Sequence, residues 1–214
     1  MTKRAIITGG TGGLGSAIAT EFRHHGWLVD APGTADFDLR DQGSIVRYFE
    51  SRAPDLLVCA AGITRDAPLA RLEEAAWEET YRINFQAARR CAAEVLPGMI
   101  ERGHGHIVFI SSQSAVQPPA GQVAYAAAKA SLLGLTTDLA EDCGSRNIRI
   151  NAILPGFLET RMTQSVSGKR REQVLAAHHL GRFNTPEAVA AFIRFLHEEL
   201  PHTSGQVFRL DSRS

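Results

Sequence analysis

The chain has 214 residues, enough to bury a substantial core and few enough to read as one domain spanning 1–214. Lys plus Arg and Asp plus Glu balance at 23 each, so no basic field exists to hold a nucleic acid, and nucleic acid is excluded as a partner. Cys59, Cys91 and Cys143 are scattered and lack zinc or disulfide spacing, and no apolar run reaches the roughly 18 residues of a membrane span. No signal-peptide core precedes the first apolar run, and a cytoplasmic protein without a membrane partner is the expectation.

AIIT (5–8) reads as a first strand, and ITGGTGGLGSAIA (7–19) carries it through a glycine loop into a helix expected over 14–25. Glycine permits a tight turn and close approach to phosphate, and free N–H groups at the helix start attract an anion. Gly9, Thr11, Gly13, Leu14 and Gly15 are the candidate contacts for a dinucleotide pyrophosphate. The spacing of Gly9, Gly13 and Gly15 is TGxxxGxG rather than GxGxxG, and a glycine-rich turn without ligand is the alternative.

WLVD (27–30) is the second strand pattern, followed by a helix over 42–52 with Ser44 near its start. DLLVCAA (55–61) is a third strand, and a long helix over 72–97 stops where Gly98 and Gly103 interrupt it. HIVFIS (106–111) is followed by a helix over 123–142, and IRINAIL (148–154) by one over 186–197, with Thr185 and Pro186 at its start. QVFRL (206–210) is the last strand. Apolar runs alternating with helices predict an α/β fold, a doubly wound parallel sheet of Rossmann type with helices on both faces. GKRRE (168–172) reads as a solvated helix face. His104 with His106, and His178 with His179, are placed as surface or lining residues, and no metal site is expected.

AYAAAKAS (124–131) sets Tyr125 and Lys129 four apart, one above the other on a helix of alanines. With the TGxxxGxG loop and Ser112 upstream of YxxxK, the chain resembles the short-chain dehydrogenase/reductase family. Asn84 in YRINF and Pro155-Gly156 in NAILPGFLETRMT match further family positions. Within the family it is most similar to β-ketoacyl-(acyl-carrier-protein) reductases, through AGITRD (61–66), GQxxYAAAK (121–129), PGFLETRMT (155–163) and LGR (180–182).

The resemblance implies a dinucleotide-binding and catalytic domain that reduces a ketone to a secondary alcohol, with a 3-oxoacyl thioester on acyl carrier protein or coenzyme A as substrate. Alternatives are another ketone or alcohol of sugar, quinone or polyketide type, or a non-catalytic dinucleotide-binding subunit. It implies Tyr125 as proton donor, Lys129 as the ammonium that favours its phenolate and holds the nicotinamide ribose, Ser112 at the carbonyl oxygen, and Asn84 holding a water. Asp38 and Leu39 would meet the adenine, Ala61 and Gly62 the adenosine side, and Pro155, Gly156, Leu158 and Thr160 the nicotinamide. NADP(H) is the implied cofactor, with NAD(H) the alternative. Gln113, Phe157 and Met162 are substrate candidates, and Arg146 and Arg102 are candidates for a carrier protein. A homotetramer, or else a dimer, is implied through the two long helices, with Ala88, Ala92, Ala127, Leu132, Leu135 and Leu139 on the joining faces.

Two stretches depart from the family pattern. Cys59-Ala60-Ala61-Gly62 replaces AsnAsnAlaGly, and APGTADFDLR (31–40) is too short for the family's helix and strand, so the adenosine pocket is expected to be pared down.

Overall fold

A computed structural model describes residues 3–213. Strands β1 (Arg4–Thr8), β2 (Leu28–Asp30), β3 (Leu56–Cys59), β4 (Gly105–Ile110), β5 (Ile148–Leu154) and β6 (Val207–Arg209) form one sheet in the order β2-β1-β3-β4-β5-β6. Every pairing is parallel. Such a sheet is covered on both faces, which is why its strands are apolar at successive positions rather than alternate ones.

The period of two along each strand divides the core. Ile6, Leu57, Ile107, Phe109 and Ile150 face α2 (Gln42–Phe49), α4 (Ala87–Arg102) and α5 (Val123–Gly144), meeting Phe49, Cys91, Met99 and Leu132. Ile7, Val58, Val108 and Ile153 face α1 (Gly13–His24) and α7 (Pro186–Glu198), meeting Ile18, Phe22, Val189 and Ile193. The chain leaves β1 for β2 on one side and returns to β3 on the other. That reversal opens a crevice at the C-terminal ends of β1 and β3, where ligands of doubly wound sheets sit. Thr8 is level with Cys59, so the glycine loop and the Ala60–Gly62 segment start side by side.

Residues 31–40 form neither helix nor strand, and β2 is the sheet edge. A turn returns the N–H groups of Asp36 and Phe37 to the Gly33 carbonyl, and the Phe37 ring stacks on Tyr48 at 4.3 Å. Asp41, rather than Ser44, caps α2, its carboxylate accepting from the N–H groups of Gly43 and Ser44. The helix expected over 72–97 is in fact α3 (Glu74–Tyr81), a π-helical turn over Arg82–Gln86, and α4. It runs through Pro97 and Gly98 and stops only at Gly103, whose φ of 68° lies in the left-handed region. Ala88, Ala92 and Leu132, expected on faces that join subunits, are spent inside the chain's own core. Among the described residues no helix is long and apolar enough to cross a membrane.

His106 is fully buried on β4, against the expectation of a surface or lining position. Asn151 Nδ2 donates to its Nε2 at 3.0 Å, and its Nδ1 lies 3.2 Å from Nδ1 of His197 on α7. The Nε2 that accepts carries no proton, so His106 donates from Nδ1 and both rings are neutral. Arg149 caps α7 by donating to the carbonyls of Leu196, His197 and Leu200. Burial, then the Arg149 charge, pulls His106 well below the ordinary histidine range, and His197 falls to about 4 for the same reasons, Lys3 adding and Glu198 and Asp55 opposing. The unfolded chain therefore takes up these protons first. Stability is complete above about pH 6.5 and falls as the pH drops from there towards 4. Thermal melts from pH 7 to 4.5 should show a falling Tm, with a shallower slope for His197→Gln; a Tm flat across that range would exclude the pair as its source.

Candidate active site

The glycine loop takes its shape from backbone packed on backbone. Gly9 adopts φ 69°, and a methyl group at Gly15 would stand 2.2 Å from the Gly9 carbonyl oxygen. Helix α1 starts behind Gly12 with no side-chain cap, so the cap leaves its first N–H groups unclaimed by side chains. This suits a pyrophosphate. Ala61 N–H donates to Thr8 Oγ1 at 3.2 Å, joining the third-strand segment to the loop where the family's asparagines are absent. Gly33 lies against Thr11, a methyl group there standing 3.0 Å from Thr11 Cγ2.

Asp38 is already engaged. Arg40 donates through Nε and Nη2 to its two carboxylate oxygens at 2.9 and 3.1 Å, which holds its pKa down. Leu39 is partly buried against the core. An adenine reaching Asp38 would have to share it with Arg40.

Asn84 lies within the π-helical turn, where one extra residue per turn rotates side chains off the ordinary register. The turn buries its amide. Nδ2 donates to the carbonyls of Thr80 and Ile63, each at 2.8 Å, while Oδ1 is buried without a partner. Oδ1 faces Gly62, where a methyl group would stand 2.7 Å from it and 3.6 Å from Lys129 Nζ. Only glycine leaves that space between amide oxygen and ammonium. An acceptor on one side and a donor on the other suit a hydrogen-bonded guest between the two groups.

Ser112 ends the run that begins in β4, with Oγ accepting from Ser114 N–H at 3.1 Å and so retaining its own proton for donation. Tyr125 and Lys129 stand one turn apart on α5, with Lys129 Nζ 5.6 Å from the centre of the Tyr125 ring. Nζ donates to the Ile110 carbonyl at 2.8 Å, and Ser111 Oγ donates to the Lys129 carbonyl at 2.8 Å, pinning α5 to the end of β4. Burial pulls Lys129 down to about 8. Burial pushes Tyr125 up, a hydrogen bond with Ser112 working the other way. Lys129 Nζ lies over the Tyr125 ring, and burial is the largest influence on the phenol, with Asp66 adding to it. Gln113 is buried beside Ser112, with Nε2 on Gln117 and Oε1 without a partner.

Beyond β5, Pro155 is buried and Gly156 turns the chain at φ 84°. Leu158 is buried, and Thr160 crosses to the glycine loop, its methyl 2.8 Å from where a Gly13 methyl would stand. Helix α6 (Gly168–Ala176) follows this segment. Phe157 meets Phe183 at 4.6 Å, and Arg171 lies over Phe183 while pairing with Glu159. His178, expected on the surface or lining a pocket, is buried against Phe183, its Nδ1–H donating to the Val174 carbonyl at 2.7 Å. Met162 is exposed.

Arg102 and Arg146 do not join this site. They precede β4 and β5, whereas Ser112 and Lys129 gather at the far ends of those strands, and Arg102 donates to the Pro54 carbonyl at 2.8 Å. The sequence reading also missed Asn184, which donates to the carbonyls of Pro155 and Leu210. No local signal marks it, since its partners lie far away along the chain.

The family model for short chain dehydrogenase matches residues 34–171. The chain belongs to the short-chain dehydrogenase family. It is 36% identical to a 3-oxoacyl-(acyl-carrier-protein) reductase of Thermotoga maritima, over 98% of this chain and 96% of that one. It is 33% identical to an acetoacetyl-CoA reductase of Allochromatium vinosum, over 92% and 91%. A solved structure described as an NAD(P) dependent gluconate 5-dehydrogenase from Beutenbergia cavernae, with bound NADP, superposes with a TM-score of 0.91 at 28% identity, covering 98% of this chain and 95% of that one.

Proposed function

We propose that the chain reduces a ketone to a secondary alcohol with NADP(H), or NAD(H), and that its substrate is a 3-oxoacyl thioester carried on coenzyme A or acyl carrier protein. The observation that carries this reading is a linked set: Ser112 hydrogen-bonds Tyr125, Lys129 Nζ lies over the Tyr125 ring, and Lys129 and Asn84 flank the space beside Gly62. The uncapped α1 terminus and the glycine surfaces fit a dinucleotide, and its nicotinamide, once bound, supplies the hydride.

The rest of the chemistry falls to the chain. The ketone oxygen accepts from Ser112 Oγ and Tyr125 Oη, which hold it as negative charge grows there. A tyrosine whose pKa is pushed up by burial keeps its proton at neutral pH until that charge develops, and then releases it to oxygen. The resulting phenolate is offset by the Lys129 ammonium one helical turn away. A water held between Asn84 Oδ1 and Lys129 Nζ returns the proton from solvent. A scaffold would have no compensation for burying an ammonium and an unpartnered amide oxygen.

The apolar wall of Phe157, Phe183 and Val174 suits an acyl chain. The 3-oxoacyl and acetoacetyl reductases among its relatives support the thioester. The likeness to a gluconate 5-dehydrogenase supports a keto-sugar acid as the second reading. Action in the cytoplasm and assembly as a homo-oligomer belong to the same proposal. Any carrier contact through Arg102 or Arg146 would be made away from this chain's own cleft.

NADPH and NADH consumption should be followed by absorbance with acetoacetyl-CoA, acetoacetyl carrier protein and 5-ketogluconate. Fastest turnover is expected on a thioester, and turnover on 5-ketogluconate alone would select the second reading. The reduction rate should fall as the pH rises through about 8, where Lys129 loses its proton. A rate unchanged to pH 10 would remove the ammonium from the mechanism.

A further inference from the structure

We propose that Asn184 and the segment Leu210–Arg213 form a brace that sets the Pro155–Gly156 turn, making Asn184 a positioning residue for the nicotinamide end of the cleft. This rests on the proposed dinucleotide chemistry and adds to it a part of the chain remote from Tyr125.

The brace begins at one amide. Asn184 Nδ2 donates to the Pro155 carbonyl at 3.0 Å and to the Leu210 carbonyl at 2.8 Å, and Oδ1 accepts from Thr185 N–H at 2.9 Å. One side chain thus joins the turn after β5, the segment after β6 and the start of α7. The backbone at 184 also pairs with Leu158. Leu210 N–H donates to the Leu154 carbonyl at 2.9 Å, which extends the β5–β6 pairing to the edge of the turn.

Asp211 then closes on the turn from behind. Its side chain is 1% exposed and receives Arg213 Nε at 2.7 Å. Gly156 is pressed against it so closely that a methyl group there would stand 2.6 Å from Asp211 Cβ. Ser212 takes the other side, its carbonyl accepting from His179 N–H at 3.1 Å and its Oγ from Leu180 N–H at 3.3 Å. The segment after β6 therefore holds both the turn and the residues that follow α6. Small displacements of a hydride donor are costly in rate, and the brace fixes the surface against which that donor would lie.

The test compares whole cofactor with its adenosine half. Affinities for NADPH and 2′-phospho-ADP-ribose, and for NADH and ADP-ribose, are measured by calorimetry on the parent chain, Asn184→Ala and Arg213→Ala, with Tm recorded for each. For Asn184→Ala the whole cofactor should bind about tenfold more weakly while the fragment changes less than about twofold. Arg213→Ala should shift the same ratio by a smaller factor, and it carries the test if Asn184→Ala does not fold. A merely structural role would lower Tm and leave the ratio alone. An unchanged ratio in both variants, or equal weakening of cofactor and fragment, overturns the brace alone. Failure of the parent chain to bind either cofactor overturns the proposed function and the brace with it.

Discussion

Tyr125→Phe should lower turnover about a thousandfold while leaving cofactor affinity within about twofold of the parent. The substitution removes one hydroxyl and leaves the ring that packs beneath Lys129 Nζ at 5.6 Å. Lys129 itself is held by the Ile110 carbonyl, a contact the phenol does not share. Ser112 keeps its proton and can still polarise a ketone, so a residual rate is expected. What is lost is the group whose proton is retained at neutral pH by burial and released only to developing charge. Steady-state kinetics with acetoacetyl-CoA, paired with NADPH fluorescence titration, separate the two effects. A variant turning over near the parent rate would end the assignment, and a parallel collapse of cofactor affinity would reassign Tyr125 to binding.

Gly15→Ala should weaken dinucleotide binding by about a hundredfold and destabilise the fold by about 1–3 kcal/mol. The added carbon would stand 2.2 Å from the Gly9 oxygen, 2.8 Å from the Gly9 carbonyl carbon and 3.1 Å from Gly10 Cα. All three are backbone atoms, so no rotamer change relieves the contact. The loop has to open, and the N–H groups at the start of α1, which would meet the dinucleotide phosphates in the proposed function, move with it. Gly134 on α5 provides the control, because a methyl there meets nothing within 4 Å. Calorimetric titration with NADPH and NADH, with Tm in parallel, reads both quantities. Retention of parent affinity by Gly15→Ala would show that this loop is not the phosphate site.

The strands and the glycine loop were legible because each depends on neighbours in the chain. AIIT, HIVFIS and IRINAIL are apolar at successive positions since both faces of a parallel sheet are covered. Tyr125 and Lys129 were paired correctly because the pitch of a helix sets which residues share a face. The break in the long helix was not legible, since Arg82–Gln86 has ordinary helix composition and its extra residue per turn answers to packing around Asn84. Arg102 and Arg146 were assigned by resemblance alone, and the course of β4 and β5 takes them to the opposite end of the sheet.

By itself, then, the sequence determined an α/β fold, the position of the glycine loop and the one-turn spacing of Tyr125 and Lys129, because periodicity and turn chemistry are local properties. The tertiary structure decided the rest. It desolvated Lys129 to about 8, raised Tyr125, sealed His106 against His197 and brought Asn184 to Pro155 and Leu210. Desolvation depends on what surrounds a group in space, and those surroundings come from segments that only folding brings together.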